Sequence, residues 1–402
     1  MMNSSLARKK SYVEKRKLGK APLFKKEPIL GWLDMELTER CNNNCLHCSI
    51  NLPENNRGAM AKELSTREVK DILRGAASLG CVTVRLTGGE PLLREDFEEI
   101  YLFARKLGLK VMLFTNATKI TACLADLLAR IPPLEKIEVT VYGMHKTSYE
   151  AVTRVPGSYA AAWRGINLLL ERKIPFIVKG VLLPPTKKEV EEFEAWAKTI
   201  PWMDRLPSFV MLFDLRCRRD SEKKNRLIEE HRLPPEEAVA FVSRNREEYL
   251  RGMKEFCQKF LSVPGDLLFP CGVGTASGCV DAYGRFQPCL TLRHPETSYD
   301  LKKGSLQDAE VCFFPKIREM RAKNSEYLAR CAHCFLKSLC EFCPAKAWME
   351  HGTLDTPVEY LCRVTHAQGR YLGLLREGEM AWEVKDGRER VKVFTEQDRD
   401  ES

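Results

Sequence analysis

Cys41, Cys45 and Cys48 fall in the stretch TERCNNNCLHC, three thiols within eight residues. A structural zinc site closes with four protein ligands, commonly as two pairs. The nearby candidate for a fourth ligand is His47, which sits inside the last pair and is poorly placed to join its neighbours on one ion. Iron–sulfur clusters are held by thiolates. A four-iron cubane held by three cysteines keeps one iron open to an outside ligand, and that is the chemistry this spacing suits.

C-x3-C-x2-C directly after a first strand resembles the signature of the radical S-adenosylmethionine enzymes, with His47 in the place of the family's aromatic. The resemblance implies a [4Fe-4S] cluster on Cys41, Cys45 and Cys48 whose open iron chelates the amino and carboxylate groups of S-adenosylmethionine. One electron from the reduced cluster then cleaves the sulfonium to methionine and a 5′-deoxyadenosyl radical. In LTGGEP (86–91), two glycines let backbone approach a ligand closely. There the resemblance implies that Gly88, Gly89 and Glu90 contact the cofactor's amino group. Thr115 and Asn116, in LFTNAT, resemble the family's polar residues near the cofactor's ribose. Thr140 and Arg154 are further candidates, Arg154 as partner of the cofactor's carboxylate.

A second cysteine region runs from Cys271 through Gly284 to Cys289, then Cys331-x2-Cys334-x5-Cys340-x2-Cys343, then Cys362. Two C-x2-C pairs can mean zinc, but these thiols are too many for one ion. The pattern resembles the auxiliary-cluster domain called SPASM, found in radical enzymes that mature peptides and proteins, except that the last short gap is x2 rather than x3. That resemblance implies one or two auxiliary [4Fe-4S] clusters, in the family's wiring one on Cys271, Cys289 and Cys343 and the other on Cys331, Cys334, Cys340 and Cys362. The first set lacks a fourth thiolate. Cys279 is the nearest spare and Cys257 a weaker one; otherwise that site is open and available to substrate. Cys81, Cys123, Cys217 and Cys312 read as buried small hydrophobes.

Positioning these groups requires a scaffold. Short apolar runs at 32–37, 82–87, 110–115, 136–142, 176–183 and 208–214 alternate with helical patterns at 65–80, 94–107, 121–131, 158–172 and 187–200. Such alternation predicts parallel strands, buried on both faces, with right-handed crossovers. Ser65 followed by Glu68 predicts a capping box. Six strands rather than eight predict an α/β fold, a partial (β/α)6 barrel with its chemistry at the carboxyl ends of the strands. CVDAYGRFQPC predicts a hairpin turning at Gly284. The expected organisation is a basic arm (1–30), the barrel core (31–216), a charged helical connector (217–265), a second, small, cysteine-rich and metal-dependent domain (266–365), and a helix with a charged tail (366–402) that is disordered after about 383.

The chain has 402 residues and 16 cysteines. No export signal or long apolar run is evident, so the cysteines read as ligands in a reducing cytosol rather than as disulfides. The net charge of +9 is concentrated in residues 8–26, which hold nine basic residues and one acid. This arm is either solvated or docks an acidic partner. It lacks interleaved aromatics, so nucleic acid is not expected. The leading expectation is a cytoplasmic oxidoreductase that modifies a ribosomally made peptide, served by a reductant such as flavodoxin or ferredoxin. About 30 residues precede the first strand, too few for a peptide-recognition domain, so a separate recognition protein or the arm would serve. Leu290 follows Cys289 where sulfatase-maturing members carry an acid, which argues against that activity. The alternatives are oxidation of a small molecule such as a tetrapyrrole, and a non-catalytic iron–sulfur or zinc module.

Overall fold

The computed structural model describes residues 30–260 and 264–396; the basic arm lies outside them. Six parallel strands follow one another in sequence order: β1 (Trp32–Thr38), β2 (Thr83–Gly88), β3 (Lys110–Thr115), β4 (Ile137–Val141), β5 (Phe176–Val181) and β6 (Ser208–Val210). Helices cross over between them: α1 (Thr66–Ser78), α2 (Phe97–Lys106), α3 (Ala122–Arg130), α4 (Lys146–Thr153), α5 (Ser158–Glu171) and α6 (Val190–Ala197). This is the expected strand–helix alternation, with one helix, α4, that the apolar periodicity did not announce. The α1 capping box forms as predicted between Ser65 and Glu68, and its loss would cost about 1 kcal/mol.

The strands differ from expectation on their inner face. Leu33, Met35 and Leu37 of β1 are at most 1% exposed on one side, while Asp34 and Glu36 are buried on the other. Charge is tolerated there because it is paired across strands, Arg85 with Asp34 and Lys179 with Glu138.

Three more strands extend the same sheet beyond β1. They are β7 (Ser277–Val280), β8 (Arg285–Gln287) and β9 (Tyr299–Asp300), giving the order β9-β8-β7-β1-β2-β3-β4-β5-β6. The predicted hairpin is β7–β8, turning at Gly284 with φ 85°. Because β7 pairs in parallel with β1, the cysteine-rich region continues the sheet of the barrel. One apolar core runs from Leu30 to Leu354 through both.

The connector is helical as predicted: α7 (Glu222–Glu230), α8 (Pro235–Val242) and α9 (Arg246–Phe260). The remaining long helices are α10 (Pro344–His351), α11 (Glu359–Tyr371) and α12 (Gly387–Glu396). α12 corrects the expectation of disorder after 383. Val391 and Phe394 are buried in a second core with Phe335, Leu336 and Leu375, so two apolar residues suffice to dock an otherwise charged helix. Among the described residues no helix is long and apolar enough to cross a membrane.

Candidate iron–sulfur and cofactor site

The loop after β1 carries Cys41, Cys45 and Cys48 to the wall of a cavity of about 270 Å³. The backbone N–H of Asn43 donates to Cys41 Sγ at 3.3 Å and that of Asn51 to Cys48 Sγ at 3.4 Å. Burial pushes the Cys45 thiol up to about 12 and Cys41 well above its ordinary value, each aided by the neighbouring thiols. Thiols in this setting become thiolates only when a metal supplies compensating charge. Three converging thiols with backbone donors already aimed at two sulfurs therefore fit an iron–sulfur cluster.

The loop is anchored from a distance. Arg216 reaches the carbonyl oxygens of Cys48 and Ile50 at 3.3 and 3.4 Å, Lys224 reaches that of Cys45, and Cys217 N–H donates to Ser49 O at 3.0 Å. The start of the supposed connector is thus part of the site.

Gly88 and Gly89 are required for a reason other than ligand approach. A Cβ on either would stand 2.1 Å from Thr38 O or 2.2 Å from Arg40 O. The Gly89 and Glu90 N–H groups donate to those same oxygens at 2.7 and 2.9 Å. The glycines let β2 lie against the root of the cysteine loop, and both also line the cavity. Glu90 does not line it. It is fully buried, and its carboxylate accepts from Thr115 Oγ1 and Asn116 N–H at 2.8 Å each and from Leu92 N–H at 3.1 Å. Burial raises it to about 7 against these hydrogen bonds. Its visible role is to lock the ends of β2 and β3 together.

Thr115, Asn116 and Thr140 line the cavity. Asn116 Nδ2 donates to Asn42 Oδ1 at 3.1 Å and approaches Cys41 Sγ at 3.8 Å. Arg154 is not at the cavity. It is an exposed residue that caps α4 in the left-handed region, φ 58°. The cations that do line the cavity are Lys179 and Arg293. Arg293 is sequestered, its side chain 1% exposed between Glu36 and Asp281. The Lys179 side chain is 23% exposed with Glu138 as partner. Neither position carries a spacing signal, so sequence reading missed them; inward-facing Lys179 on a parallel strand was the available clue. His47 lines the cavity with its ring 5.0 Å from Phe213 and 6.0 Å from Tyr142, and burial lowers it to about 3.

The auxiliary cysteines lie in two places. Cys331, Cys334, Cys340 and Cys362 line one small cavity. Cys289 acts as a charge neighbour of both Cys271 and Cys343, whose thiols are raised mainly by burial. Cys279 joins neither set. It is fully buried on β7 opposite Asp34 of β1, and the charges acting on its thiol are Glu36, Arg293, Asp34 and Asp281. Cys257 is buried in the α12 core. Of the four cysteines expected to be buried, Cys81 and Cys217 are, with Cys217 lining the central cavity, whereas Cys123 and Cys312 are exposed. Among the described residues, no three His, Cys, Asp or Glu side chains are drawn together as a single-ion site.

The sequence profile of the radical SAM superfamily matches residues 35–197. An AdoMet-dependent heme synthase of Methanosarcina barkeri is 26% identical over 347 residues, covering 81% of this protein and 93% of that one. Among solved structures, anSMEcpe with bound AdoMet superposes with a TM-score of 0.60 at 15% identity, covering 91% of this protein and 98% of that one. Streptococcus suis SuiB bound to S-adenosylmethionine gives 0.58 at 16% identity, covering 83% and 75%. At such identities these structures speak for the fold.

Proposed function

From its membership of the radical SAM superfamily, carried by residues 35–197, we propose that this protein oxidises a carboxylate-bearing tetrapyrrole at a saturated carbon of a ring substituent. The observation that carries the substrate class is the match to the AdoMet-dependent heme synthase, which spans 93% of that protein and is too long to be the barrel alone. A ribosomally made peptide is the second reading, favoured by the cysteine pattern between Cys271 and Cys362.

Cys41, Cys45 and Cys48 would hold the first cluster, with the backbone N–H groups of Asn43 and Asn51 orienting the sulfurs of Cys41 and Cys48. When bound, the cluster and S-adenosylmethionine supply hydrogen-atom abstraction at an unactivated carbon. Asn116 and Thr140 would face the cofactor from the cavity wall, and Lys179, paired with Glu138, would offer a further N–H donor to a carboxylate. Phe114, Tyr142 and Leu290 give the cavity apolar walls that exclude water. Auxiliary clusters belong to the two C-terminal cysteine sets. A one-electron donor such as flavodoxin or ferredoxin completes the system.

The test is anaerobic purification and reconstitution, then 5′-deoxyadenosine formation from S-adenosylmethionine with dithionite, with and without an iron porphyrin carrying peripheral carboxylates. The expected result is a shift of the porphyrin's Soret band on binding, with deuterium from its labelled ring substituents appearing in 5′-deoxyadenosine. Cofactor cleavage without porphyrin binding rejects the tetrapyrrole and leaves the peptide. Absence of cleavage in iron-loaded protein rejects the catalytic reading.

A further inference from the structure

The cavity formed by Cys331, Cys334, Cys340 and Cys362 has two cations in its wall, Arg330 and Lys337, and no carboxylate. Arg330 is oriented with care. Its Nη2 donates to Cys362 Sγ at 3.5 Å. Its Nε is buried and lacks a partner, so one donor of the planar fork remains unspent. The guanidinium lies 4.5 Å from the centre of the Trp382 ring, and Nη1 is held by Glu326 and Glu359. Those two glutamates have side chains 51% and 58% exposed, so solvent screens their charge. Trp382 packs in turn against His366, which is anchored to Cys362 O at 2.8 Å and accepts from Ala381 N–H at 3.2 Å. Lys337 stands over the Tyr327 ring at 5.1 Å.

A buried donor left without a partner is destabilising, and here that donor belongs to a cation in the wall of a four-thiol cavity. Hydrogen bonds to the sulfurs of a cluster, its net charge and its solvent exposure set its reduction potential. Taking up one electron adds negative charge at those sulfurs. A cation donating to them stabilises the reduced state more than the oxidised one, and more strongly in a low-dielectric pocket.

We propose that Arg330, with Lys337 as the lesser contributor, raises the reduction potential of the cluster held by Cys331, Cys334, Cys340 and Cys362. This rests on reading the four thiols as cluster ligands. The couple takes up one electron, and no bond forms or breaks.

The test uses full-length wild type, Arg330→Met, Arg330→Lys and Lys337→Met, reconstituted anaerobically. Each is redox-titrated while the EPR signals of reduced clusters are followed, with iron counted on the same samples. In R330M one couple is expected to fall by at least about 59 mV, a tenfold lower ratio of reduced to oxidised cluster at fixed potential for a one-electron couple. R330K recovers part of the shift, since the charge stays while the fork is lost, and K337M shows a smaller fall. An unchanged potential in R330M at full iron content overturns the proposal. Should R330M load poorly, K337M decides on the same criterion. Failure of the underlying reading looks different: Cys331→Ser then loses no iron relative to wild type.

Discussion

Lys179 is the cation with room to act in the central cavity. Arg293 is spent on Glu36 and Asp281, and Arg154 points elsewhere. An ammonium has three donors, and Glu138 is the carboxylate engaged with it. A hydrogen bond to a charged group is worth about 1.5–3 kcal/mol, or roughly ten- to a hundredfold in affinity. Lys179→Met is therefore expected to weaken S-adenosylmethionine binding at least about tenfold, while Arg154→Ala leaves it unchanged. Equilibrium dialysis against the iron-loaded protein measures both. Equal losses in the two variants would contradict this placement of the residues.

At the scale of elements, the segment between β9 and the second thiol set holds a pH-sensitive group. Glu310 is buried in the helical turn Ala309–Phe313, with Oε1 unpartnered. Burial raises it to about 7, opposed by Arg318. Its folded pKa exceeds the ordinary 4.5, so the native state binds this proton more tightly than the unfolded protein does. The resulting stabilisation is full below about pH 4.5 and is lost as pH rises through about 7. Glu310→Gln is thus expected to show a smaller fall in Tm between pH 5.5 and pH 8 than wild type, read by thermal unfolding of the two proteins side by side. An identical pH dependence would remove Glu310 as a source.

At the scale of the whole molecule, the C-terminal helix packs against the segment that carries the second thiol set. Phe335 and Leu336 directly follow Cys334 and pack in one core with Val391 and Phe394 of α12. Fully burying such side chains contributes about 1.5–3 kcal/mol each. A protein truncated after residue 383 is expected to melt at lower temperature and to lose iron from the second thiol set while retaining it at Cys41, Cys45 and Cys48. Iron counts and EPR spin quantitation on the truncated protein check this. Uniform loss from all sites would mean that α12 supports the fold at large.

What the sequence determined by itself was what local spacing carries: three thiols in one loop, the double glycine, the capping box, the six-strand alternation and the two later C-x2-C pairs. These are legible because a few covalent bonds confine neighbouring residues to one turn or one strand end. The tertiary structure alone decided which side chains share a cavity. Arg154 and Cys279 stand at plausible positions in the sequence, yet a left-handed cap turns one outward and a parallel pairing with β1 buries the other away from its sister thiols. Lys179, Arg293 and Arg216 come from sequence-distant segments with no motif to announce them. Their convergence depends on long-range pairing and packing, where a one-residue change of register reverses which face a side chain occupies.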